Sequence, residues 1–487
     1  MHPKRDHLPL SRNDDGQMPG AIAGIHMKIQ TVTVSDYCPL DSNVYTGGGT
    51  DVTCAIQKIL DRAKDEGGIK LVMDGAALVS HLRLYSNTTI ECLNKDCGFY
   101  QKDGSNNSIV INAEGSKKEI TARNITLRGG TYNQNCAHQL HHREMMPDEP
   151  AYEGFLGVKY VFAIEFYGVE NLVLEDLTIR DFRTYAFALG CFKNCRIENV
   201  WLDLPGRMQA NNQDGFHFWG PGQFLTIRNV GGRVGDDFMN IGPDEEDEVS
   251  SISDVIVDGV ILDDADQAIR VLSRGTGRVD RLTVRNVTGT YRSFGFYINS
   301  WFPGKTCGQF GDMFFENIDL KHTAPNYDYR KPMLFSVGGE IRSLICKNIR
   351  HVDPIDGRAL FELGLPFHST IPETINDFTF EGCYPHIDYF EIDGMTILEN
   401  NHDADDANYI RVFGRIGTMV VRNVNVVRPS SGNSTLIEFS DRAEVDTAVL
   451  NSVYTKGMNL PVKHPEKVRN LFSENVIFAK GGDPACR

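Results

Sequence analysis

The chain has 487 residues, of which 41% are hydrophobic and 23% are charged, and its formal net charge is −16. This composition is ordinary for a folded protein, and no apolar run is long enough to cross a bilayer. The acidic balance and the lack of a Lys/Arg-rich stretch argue against nucleic acid as a partner. Neither nucleic acid nor a membrane is therefore an expected partner.

The first 26 residues lack the continuous apolar segment of a secretory signal. Because "MKIQTVTV" from Met27 resembles a natural start, we expect 1–26 to be a flexible or cloning-derived tail and 27–487 to be a single domain. The sequence as it stands predicts a cytoplasmic location, or a secreted one if a leader has been removed. The eleven cysteines form no CxxC pair and are expected to be mostly reduced.

One helix is predicted near the start of the chain. The apolar residues of "GGGTDVTCAIQKILDRAKDEGG" recur at the i, i+3, i+4, i+7 spacing of one helical face. Thr50 or Asp51 can cap the start of this helix, and Gly67 can end it. The helix is therefore predicted over residues 51–65.

Short alternations of β-branched and aromatic residues follow, bounded by Gly, Asn and Asp, at a spacing of about 22 to 35 residues. Units this short cannot bury both faces alone and must stack on their neighbours. The predicted fold is all-β, a single right-handed parallel β-helix with coils ~4.8 Å apart, whose open N-terminal end the helix covers. The repeated units lie at 124–132, 170–182, 195–203, 224–232, 254–264, 281–290, 313–320, 343–352 and 418–427.

Four successive coils can be aligned by their inward-facing apolar pairs, which are Phe216/Phe218, Met239/Ile241, Ile269/Val271 and Phe296/Ile298. Residues of opposite parity then point outward. The alignment predicts an exposed column of His217, Asn240, Arg270 and Tyr297. Two further columns hold Asp214, Asp237, Gln267 and Phe294, and then Gln213, Asp236, Asp266 and Ser293.

Three aspartates stand out in this alignment. Parity would turn Asp214 and Asp237 into the core, which cannot accept unpaired carboxylates, so we expect "NQDG" and "VGDD" to form bends. Asp214 and Asp237 would then lie about one coil apart, with Asp236 beside them. Carboxylates this close repel one another, so at least one is expected to have a raised pKa, as a general acid requires. The alternative is that these residues only shape turns.

The outward face next to these bends is expected to bind a sugar. Exposed Trp219 and Tyr297 offer flat apolar faces of the kind that pack on sugar rings, and His217 and Arg270 share this face. The substrate contacts predicted in the aligned coils are His217, Trp219, Asn240, Asp266, Gln267, Arg270, Tyr297 and Asn299.

These motifs resemble those of glycoside hydrolase family 28, the polygalacturonases, which carry N-T-D, then G-D-D or Q-D-D about one coil later, then G-H-G and R-I-K in the next two coils. Here "NQDG" and "GDD" stand for the first two motifs, with 22 residues from Asp214 to Asp236. The opening "GGGTDVTCAIQKIL" is also similar to the N-terminal cap of this superfamily. The resemblance covers most of the chain as fold but only a short part of it as specific motif.

The resemblance implies an inverting hydrolase without a cofactor. Asp236 would protonate the leaving oxygen, and Asp214 and Asp237 would activate water on the opposite side. Inverting enzymes separate these carboxyls by ~6.5–9.5 Å, and aspartates on neighbouring coils can meet that distance.

Two departures from the family leave the sugar open. Coil counting puts Gln267 at the position of the family's histidine, and Tyr297 and Asn299 at the positions of the Arg and Lys that grip the galacturonate carboxylate. A rival register keeps Arg270 and replaces the Lys with Leu272. Under either register Arg270 points into the cleft, where it binds an acidic sugar or pairs with Asp236 or Asp266.

An insertion at 133–160 contains "CAHQLHHREMM", with Cys136, His138, His141 and His142. Its spacing fits no familiar zinc arrangement, and no metal is predicted. We expect the insertion to wall off one end of the groove and to favour release of small units from a chain end. His141 or His142 would then contact substrate.

The acidic run "DEEDE", Asp244 to Glu248, is predicted to be a solvated loop. The function predicted for the whole chain is an exo-acting, inverting glycoside hydrolase on pectin-derived or related plant or microbial oligosaccharides. One alternative is a lyase of the same fold, in which the three aspartates hold Ca²⁺ and Arg270 abstracts a proton. The other is a non-catalytic, tailspike-like glycan-binding β-helix.

Overall fold

The computed structural model describes residues 29–139, 161–205, 213–300, 306–323, 332–354, 359–364, 385–400, 408–429, 434–458 and 460–479. Within these ranges, the fold consists of 28 parallel strands, two short α-helices and three single 3-10 turns. The expected tail, 1–26, lies outside the described residues. No helix in the described ranges is long and apolar enough to span a bilayer.

Helix α1 spans Thr53–Asp61, helix α2 spans Ala63–Glu66, and single 3-10 turns lie at Val34–Asp36, Cys136–His138 and Pro465–Lys467. The strands are β1 (Gln30–Thr33), β2 (Ile69–Met73), β3 (Ala76–Val79), β4 (Leu82–Leu84), β5 (Thr88–Cys92), β6 (Gly98–Gln101), β7 (Val110–Asn112), β8 (Ala122–Arg128), β9 (Thr131–Asn133), β10 (Ile164–Glu175), β11 (Thr178–Arg180), β12 (Phe187–Glu198), β13 (Trp201–Asp203), β14 (Phe216–Gly232), β15 (Asp237–Ile241), β16 (Ile252–Leu272), β17 (Arg278–Asn299), β18 (Gln309–His322), β19 (Met333–Val337), β20 (Glu340–Val352), β21 (Phe361–Leu363), β22 (His386–Leu398), β23 (Asn408–Val412), β24 (Arg415–Val427), β25 (Thr435–Phe439), β26 (Glu444–Lys456), β27 (Leu460–Lys463) and β28 (Val468–Ala479).

Each strand pairs in parallel with the equivalent strand of the next coil. One series of pairs runs from β14 to β16 and β17, and continues through β18, β20, β22, β24 and β26 to β28. The chain therefore adopts the predicted right-handed parallel β-helix. All nine predicted repeats contain strands of this series or of β8, β10 and β12, which precede it. The repeat pattern did not include the coils that contain β22, β26 and β28.

The predicted helix is confirmed, with a division at Arg62 between α1 and α2. The carboxylate of Asp51 accepts the Thr53 backbone N–H at 3.0 Å, and Gly67 ends the segment with a left-handed φ of 85°. Glycine adopts this conformation at no steric cost. The buried face, with Ile56, Ile59 and Leu60, packs into the hydrophobic core and covers the N-terminal end of the solenoid.

The asparagines of the repeats form the bends. Asn124, Asn171 and Asn194 all have left-handed φ values near 57°. Their side-chain amides bond from coil to coil, with Asn171 donating to Asn124 at 2.9 Å and Asn194 donating to Asn171 at 2.6 Å. Asn348 donates in the same way to Asn317 at 2.7 Å. The repeated asparagine is thus both a turn residue and a link between coils.

The core consists of stacked apolar side chains along the axis of the β-helix. The inward pairs predicted from the sequence are all buried, as Phe216, Phe218 and Met239 illustrate at 0% exposure. The stack continues toward the C-terminus, where the Phe335 and Phe361 rings lie 4.7 Å apart.

Eight cysteines among the described residues are free thiols, in agreement with the prediction, and Cys307 is disulfide-bonded.

Candidate active site

The register predicted for the four central coils is confirmed. His217 of β14 lies opposite Asn240 of β15, Asn240 lies opposite Arg270 of β16, and Arg270 lies opposite Tyr297 of β17. The next column is also in register where the strands pair, with Asp237 opposite Gln267. The apolar pairs alone were therefore sufficient to align these coils.

The structure brings the three aspartates together. Asp214 lies just before β14, Asp236 lies just before β15, and Asp237 is the first residue of β15. Three backbone hydrogen bonds join the bends. Gly215 N–H donates to the Asp237 carbonyl at 2.8 Å, and the N–H groups of Gly235 and Asp236 donate to the Gln213 carbonyl at 3.0 Å and 3.1 Å. One oxygen from each of the three carboxylates lies within 4.8 Å of the other two.

The three carboxyl groups differ in exposure. Asp214 and Asp237 are buried, at 3% and 0% exposure, whereas Asp236 is half-buried. Burial raises the pKa of Asp214 to about 6, against the opposing effect of His217. Burial also raises the pKa of Asp237 well above its ordinary value, against the opposing charge of Arg270. Only Asp236 can meet a ligand from solvent without a rearrangement.

His217 lies between two carboxylates. Its Nδ1 donates to Asp214 Oδ2 at 2.9 Å, and its Nε2 donates to Glu245 Oε2 at 2.7 Å. Burial opposes the charge on the ring, but the two carboxylates outweigh burial and raise the pKa of His217 to about 9. The ring stacks on Tyr185 at a centroid distance of 4.2 Å. The prediction of an exposed substrate contact is wrong for His217, because both nitrogens and one face of its ring are occupied.

Glu245 is the centre of a second group of contacts. The Trp219 indole N–H donates to Glu245 Oε2 at 2.9 Å, and the Asn240 side-chain amide lies 3.2 Å from both Glu245 oxygens. Burial works to raise the pKa of Glu245, but the charge of His217 outweighs it, and the pKa is lowered. Glu245 is therefore an ionised partner of the His217 imidazolium.

The acidic run is not uniformly solvated, so its prediction as a solvated loop is wrong for its first two residues. Asp244 is fully buried, and its carboxylate accepts the backbone N–H groups of Arg274 at 2.7 Å, Gly275 at 2.7 Å and Gly277 at 3.0 Å. Burial raises the pKa of Asp244. These backbone N–H groups of the next coil need an acceptor, and the Asp244 carboxylate supplies it. The prediction does hold for Glu246, which is exposed.

Arg270 pairs with an aspartate. Its Nη1 donates to Asp237 Oδ2 at 2.9 Å, and its side chain remains 17% exposed. Burial opposes the charge of the guanidinium, but Asp237 and Glu245 outweigh burial and raise its pKa. The structure shows an ion pair with Asp237, a partner that the sequence analysis did not name, and the binding of an acidic sugar stays a prediction.

The aromatic residues predicted to stack on sugars are buried. Trp219 is 7% exposed and packs against Phe162, Tyr167 and Tyr185. Tyr297 is 1% exposed and stacks on Phe294 at 5.2 Å. These side chains do point away from the core, but aromatic neighbours on the same face cover them. The prediction that they are exposed sugar platforms is therefore wrong.

The remaining predicted contacts in these coils are also buried, which corrects the expectation of an exposed column. Asn240 and Asn299 are 0% exposed, Asp266 is 1% exposed and Gln267 is 3% exposed. Four buried acceptors in this area have no hydrogen-bond partner within the part of the chain that the structure describes, namely Gln213 Oε1, Asp237 Oδ1, Asn240 Oδ1 and Gln267 Oε1. Asp237 and Gln267 occupy paired positions on β15 and β16. Because a buried acceptor without a donor costs roughly 1–3 kcal/mol, each of these two oxygens is open to a water molecule or a ligand hydroxyl.

The histidine-rich insertion is described only in part. His141 and His142 lie outside the described residues. Cys136 is buried and accepts hydrogen bonds from Arg183 and Gln213 at 3.7 Å, whereas His138 is exposed and bonds to Asn135. Among the described residues, only the three-aspartate cluster has the spacing of a metal-binding group.

Three residues of the site were not predicted from the sequence. Glu245 and Asp244 were hidden in a charge run, and the signal that would have found them is the glycine-rich "RGTG" in the next coil, which exposes backbone donors. Tyr185, which is 5% exposed, lies one coil before the four that were aligned. Extending the alignment by one coil, where Ala188 pairs with His217, brings Tyr185 next to the site.

No family model and no curated protein sequence matches the chain. Among solved structures, it is similar to the family 28 exopolygalacturonase of Yersinia enterocolitica, with a TM-score of 0.52, 15% identity and coverage of 90% of this chain and 79% of that chain. The exopolygalacturonase of Thermotoga maritima gives a TM-score of 0.51 and 14% identity, with 93% of each chain covered. A tailspike protein of Escherichia coli bacteriophage HK620 gives 0.50 and 10% identity, covering 92% of this chain and 80% of that chain.

At these identities the likeness establishes the fold. The chain is a right-handed parallel β-helix protein of the kind that includes family 28 polygalacturonases. Its sequence has diverged far from these structures, since its identity to both exopolygalacturonases is 15% or less.

Proposed function

We propose that the chain is a glycoside hydrolase that acts on pectin-derived or related plant or microbial oligosaccharides. One observation carries the proposal, namely the three carboxylates of Asp214, Asp236 and Asp237 with oxygens within 4.8 Å of one another. Glycoside hydrolysis needs one carboxyl group to give a proton and another to act on the opposite side of the bond. The polygalacturonase-like fold supports a carbohydrate substrate.

The exposure of each carboxyl group suggests its role. Asp236 is half-buried and is the proposed general acid, since it is the member of the cluster that a glycosidic oxygen can reach. Burial raises the pKa of Asp214 and of Asp237, so these two carboxyl groups hold a proton to a higher pH than an ordinary aspartate does. Asp237 Oδ1, which has no partner among the described residues, is the proposed site of the attacking water.

The spacing of the carboxylates bears on stereochemistry. The closest oxygens are within 4.8 Å, which is below the ~6.5–9.5 Å expected of an inverting pair and near the ~5–5.5 Å of a retaining pair. The expected separation is thus not found between these atoms. Inversion remains our proposal for a different reason. Asp214 and Asp237 are too deeply buried to reach a sugar carbon as nucleophiles, whereas a water molecule can lie against them. The first anomer released, observed by ¹H NMR, tests this point, and a retained configuration would contradict it.

The lyase alternative fits the geometry less well. Asp214 and Asp237 are each bonded to a cation, His217 and Arg270 respectively, which repel a Ca²⁺ ion at this position. A lyase would also need a neutral Arg270 as base, but the surrounding carboxylates raise its pKa. A binding module without catalysis is also less favoured, because the aromatic surfaces that would hold the glycan are buried.

The proposal is tested by incubating the full chain with a panel of oligosaccharides that includes oligogalacturonides. New reducing ends and the ultraviolet absorbance of unsaturated uronate are recorded with and without EDTA. We expect reducing ends to form equally in both conditions, without unsaturated product, and single units to be released first if action is exo. Unsaturated product that disappears with EDTA would instead support the lyase. Binding without new reducing ends would support a tailspike-like module.

A further inference from the structure

A continuous chain of buried polar groups lies behind Asp214. The indole N–H of Trp219 and the Nε2–H of His217 both donate to Glu245 Oε2, at 2.9 Å and 2.7 Å, and the opposite nitrogen of His217 donates to Asp214 Oδ2 at 2.9 Å. The side chains of His217 and Asp214 are each 4% exposed, and that of Glu245 is 10% exposed. Water therefore competes little for these hydrogen bonds.

The turn that carries Glu245 is fixed to the next coil. The neighbouring Asp244 accepts three backbone N–H groups from 274–277, and Arg274 Nη1 donates to the Glu245 carbonyl at 3.0 Å. These four bonds connect residues about thirty positions apart in the sequence. The backbone of Glu245 is consequently held in place independently of His217, and its carboxylate has Trp219 and Asn240 as further partners.

The imidazole of His217 is fixed in orientation as well. Tyr185 stacks on the ring at 4.2 Å with an interplanar angle of 11°, and Trp219 lies against it at 4.5 Å. The charged and titratable groups that face His217 are Asp214 on its own bend, Glu245 on the turn and Tyr185 on the preceding coil. Asp236 interacts with Asp214, whereas the charge of Arg270 acts on both Asp214 and Glu245. Among these neighbours, Glu245 is the carboxylate placed to stabilise the second ring proton.

We infer that Glu245 is a positioning residue, which holds His217 as a doubly protonated donor and thereby fixes the orientation and charge of the Asp214 carboxylate for water activation. The inference rests on the proposed hydrolase function. No covalent step is involved, since both ring protons stay on His217. When Glu245 loses its charge, the ring keeps one strong acceptor instead of two, and Asp214 loses part of the positive charge that keeps it ionised.

The test compares Glu245→Gln with Glu246→Gln in the full chain. Both changes remove one carboxylate from the same acidic run, but Glu246 is exposed and pairs with Lys117 at the surface. The first measurement follows the ¹⁵N shifts of the His217 ring nitrogens with pH, assigned by loss of the signals in His217→Asn. We expect His217 to stay an imidazolium up to about pH 8 in the wild type and in Glu246→Gln, because its pKa is raised to about 9. In Glu245→Gln the proton should leave at a lower pH.

The second measurement is the pH profile of hydrolysis. We expect Glu245→Gln to lower kcat by roughly 10²-fold with little change in KM, and to move the acidic limb to higher pH, because Asp214 becomes easier to protonate. A merely structural role would lower stability without moving this limb. The inference is overturned if the His217 titration and the pH profile of Glu245→Gln match those of Glu246→Gln. If the wild type hydrolyses no glycan, the proposed function fails together with the catalytic role of Glu245, while the NMR titration alone still decides whether Glu245 holds the charge of His217.

Discussion

The two acidic stretches "GDD" (235–237) and "DEEDE" (244–248) lie seven residues apart, and the sequence predicts different roles for them. The first was expected to be a site and the second a solvated loop, yet both contribute to one network. Asp237 meets a guanidinium, whereas Asp244 meets three backbone N–H groups of the next coil. The donors on neighbouring coils, and not the acidic run itself, therefore decide whether a carboxylate is buried.

The largest effect on stability within "DEEDE" is expected at its first residue. Asp244→Ala should lower the free energy of unfolding by about 3–4 kcal/mol, because it leaves three buried N–H groups without an acceptor. Urea unfolding of the full chain measures this change. Activity should fall as well, since the turn that carries Glu245 loses its anchor. A loss below ~1 kcal/mol would show that water replaces the carboxylate without cost.

The next largest effect is a loss of stability with rising pH, which is caused by deprotonation of His217. Its pKa rises from 6.5 to about 9 on folding, so the stability it contributes is fully present below pH 6.5 and is lost as the pH rises through 9. The expected loss is up to about 3 kcal/mol. Urea midpoints of the wild type and Glu245→Gln between these pH values should diverge, with the smaller decline in the variant. Parallel curves would contradict the role of Glu245 in holding this charge.

A moderate loss of stability is expected from substitution of Asp247, the fourth residue of "DEEDE". Its Oδ1 accepts the backbone N–H groups of Val249 at 3.0 Å and Ser250 at 2.9 Å in an exposed turn. Asp247→Ala should cost about 1 kcal/mol, a value typical of lost side-chain caps. Catalysis should stay unchanged, because this carboxylate bonds to Val249 and Ser250 within its own turn. A loss as large as that of Asp244→Ala would remove the contrast between buried and exposed carboxylates in this run.

The smallest effect is expected at Glu246. Its carboxylate pairs with Lys117 at 2.5 Å, and the lysine side chain is 58% exposed. Glu246→Gln should change the free energy of unfolding by less than ~0.5 kcal/mol, and less still in high salt. Thermal unfolding at two salt concentrations measures this. A larger, salt-independent loss would mean that the whole acidic run is structural.

Much of the fold could be predicted from the sequence because its repeats are local. Each repeat shows its alternation and its asparagine bend within about ten residues, and apolar pairs such as Phe216/Phe218 were enough to set the register. The three aspartates followed from that register. The period of two tells which side of a strand a residue occupies, and this inference was correct for His217 and Tyr297.

Exposure could not be predicted in the same way. Whether an outward side chain is covered depends on side chains from other coils, such as Tyr185 over His217 and Phe294 beside Tyr297. The place of Glu245 depends on how a turn folds back, which the alternation of strands does not encode. The sequence therefore indicated where the carboxylates meet, but not which partners they would have.

The central claim is that the Asp214, Asp236 and Asp237 cluster cleaves glycosidic bonds. Its most direct test is the release of reducing ends by Asp236→Asn from the substrate that the wild type cleaves, with circular dichroism to confirm the fold. Asp263→Asn is the matched control, since Asp263 is an exposed aspartate of the next coil that pairs with Arg233. We predict that Asp236→Asn loses about 10²–10⁴-fold in kcat while Asp263→Asn keeps the wild-type rate. Undiminished turnover by a folded Asp236→Asn would contradict the account.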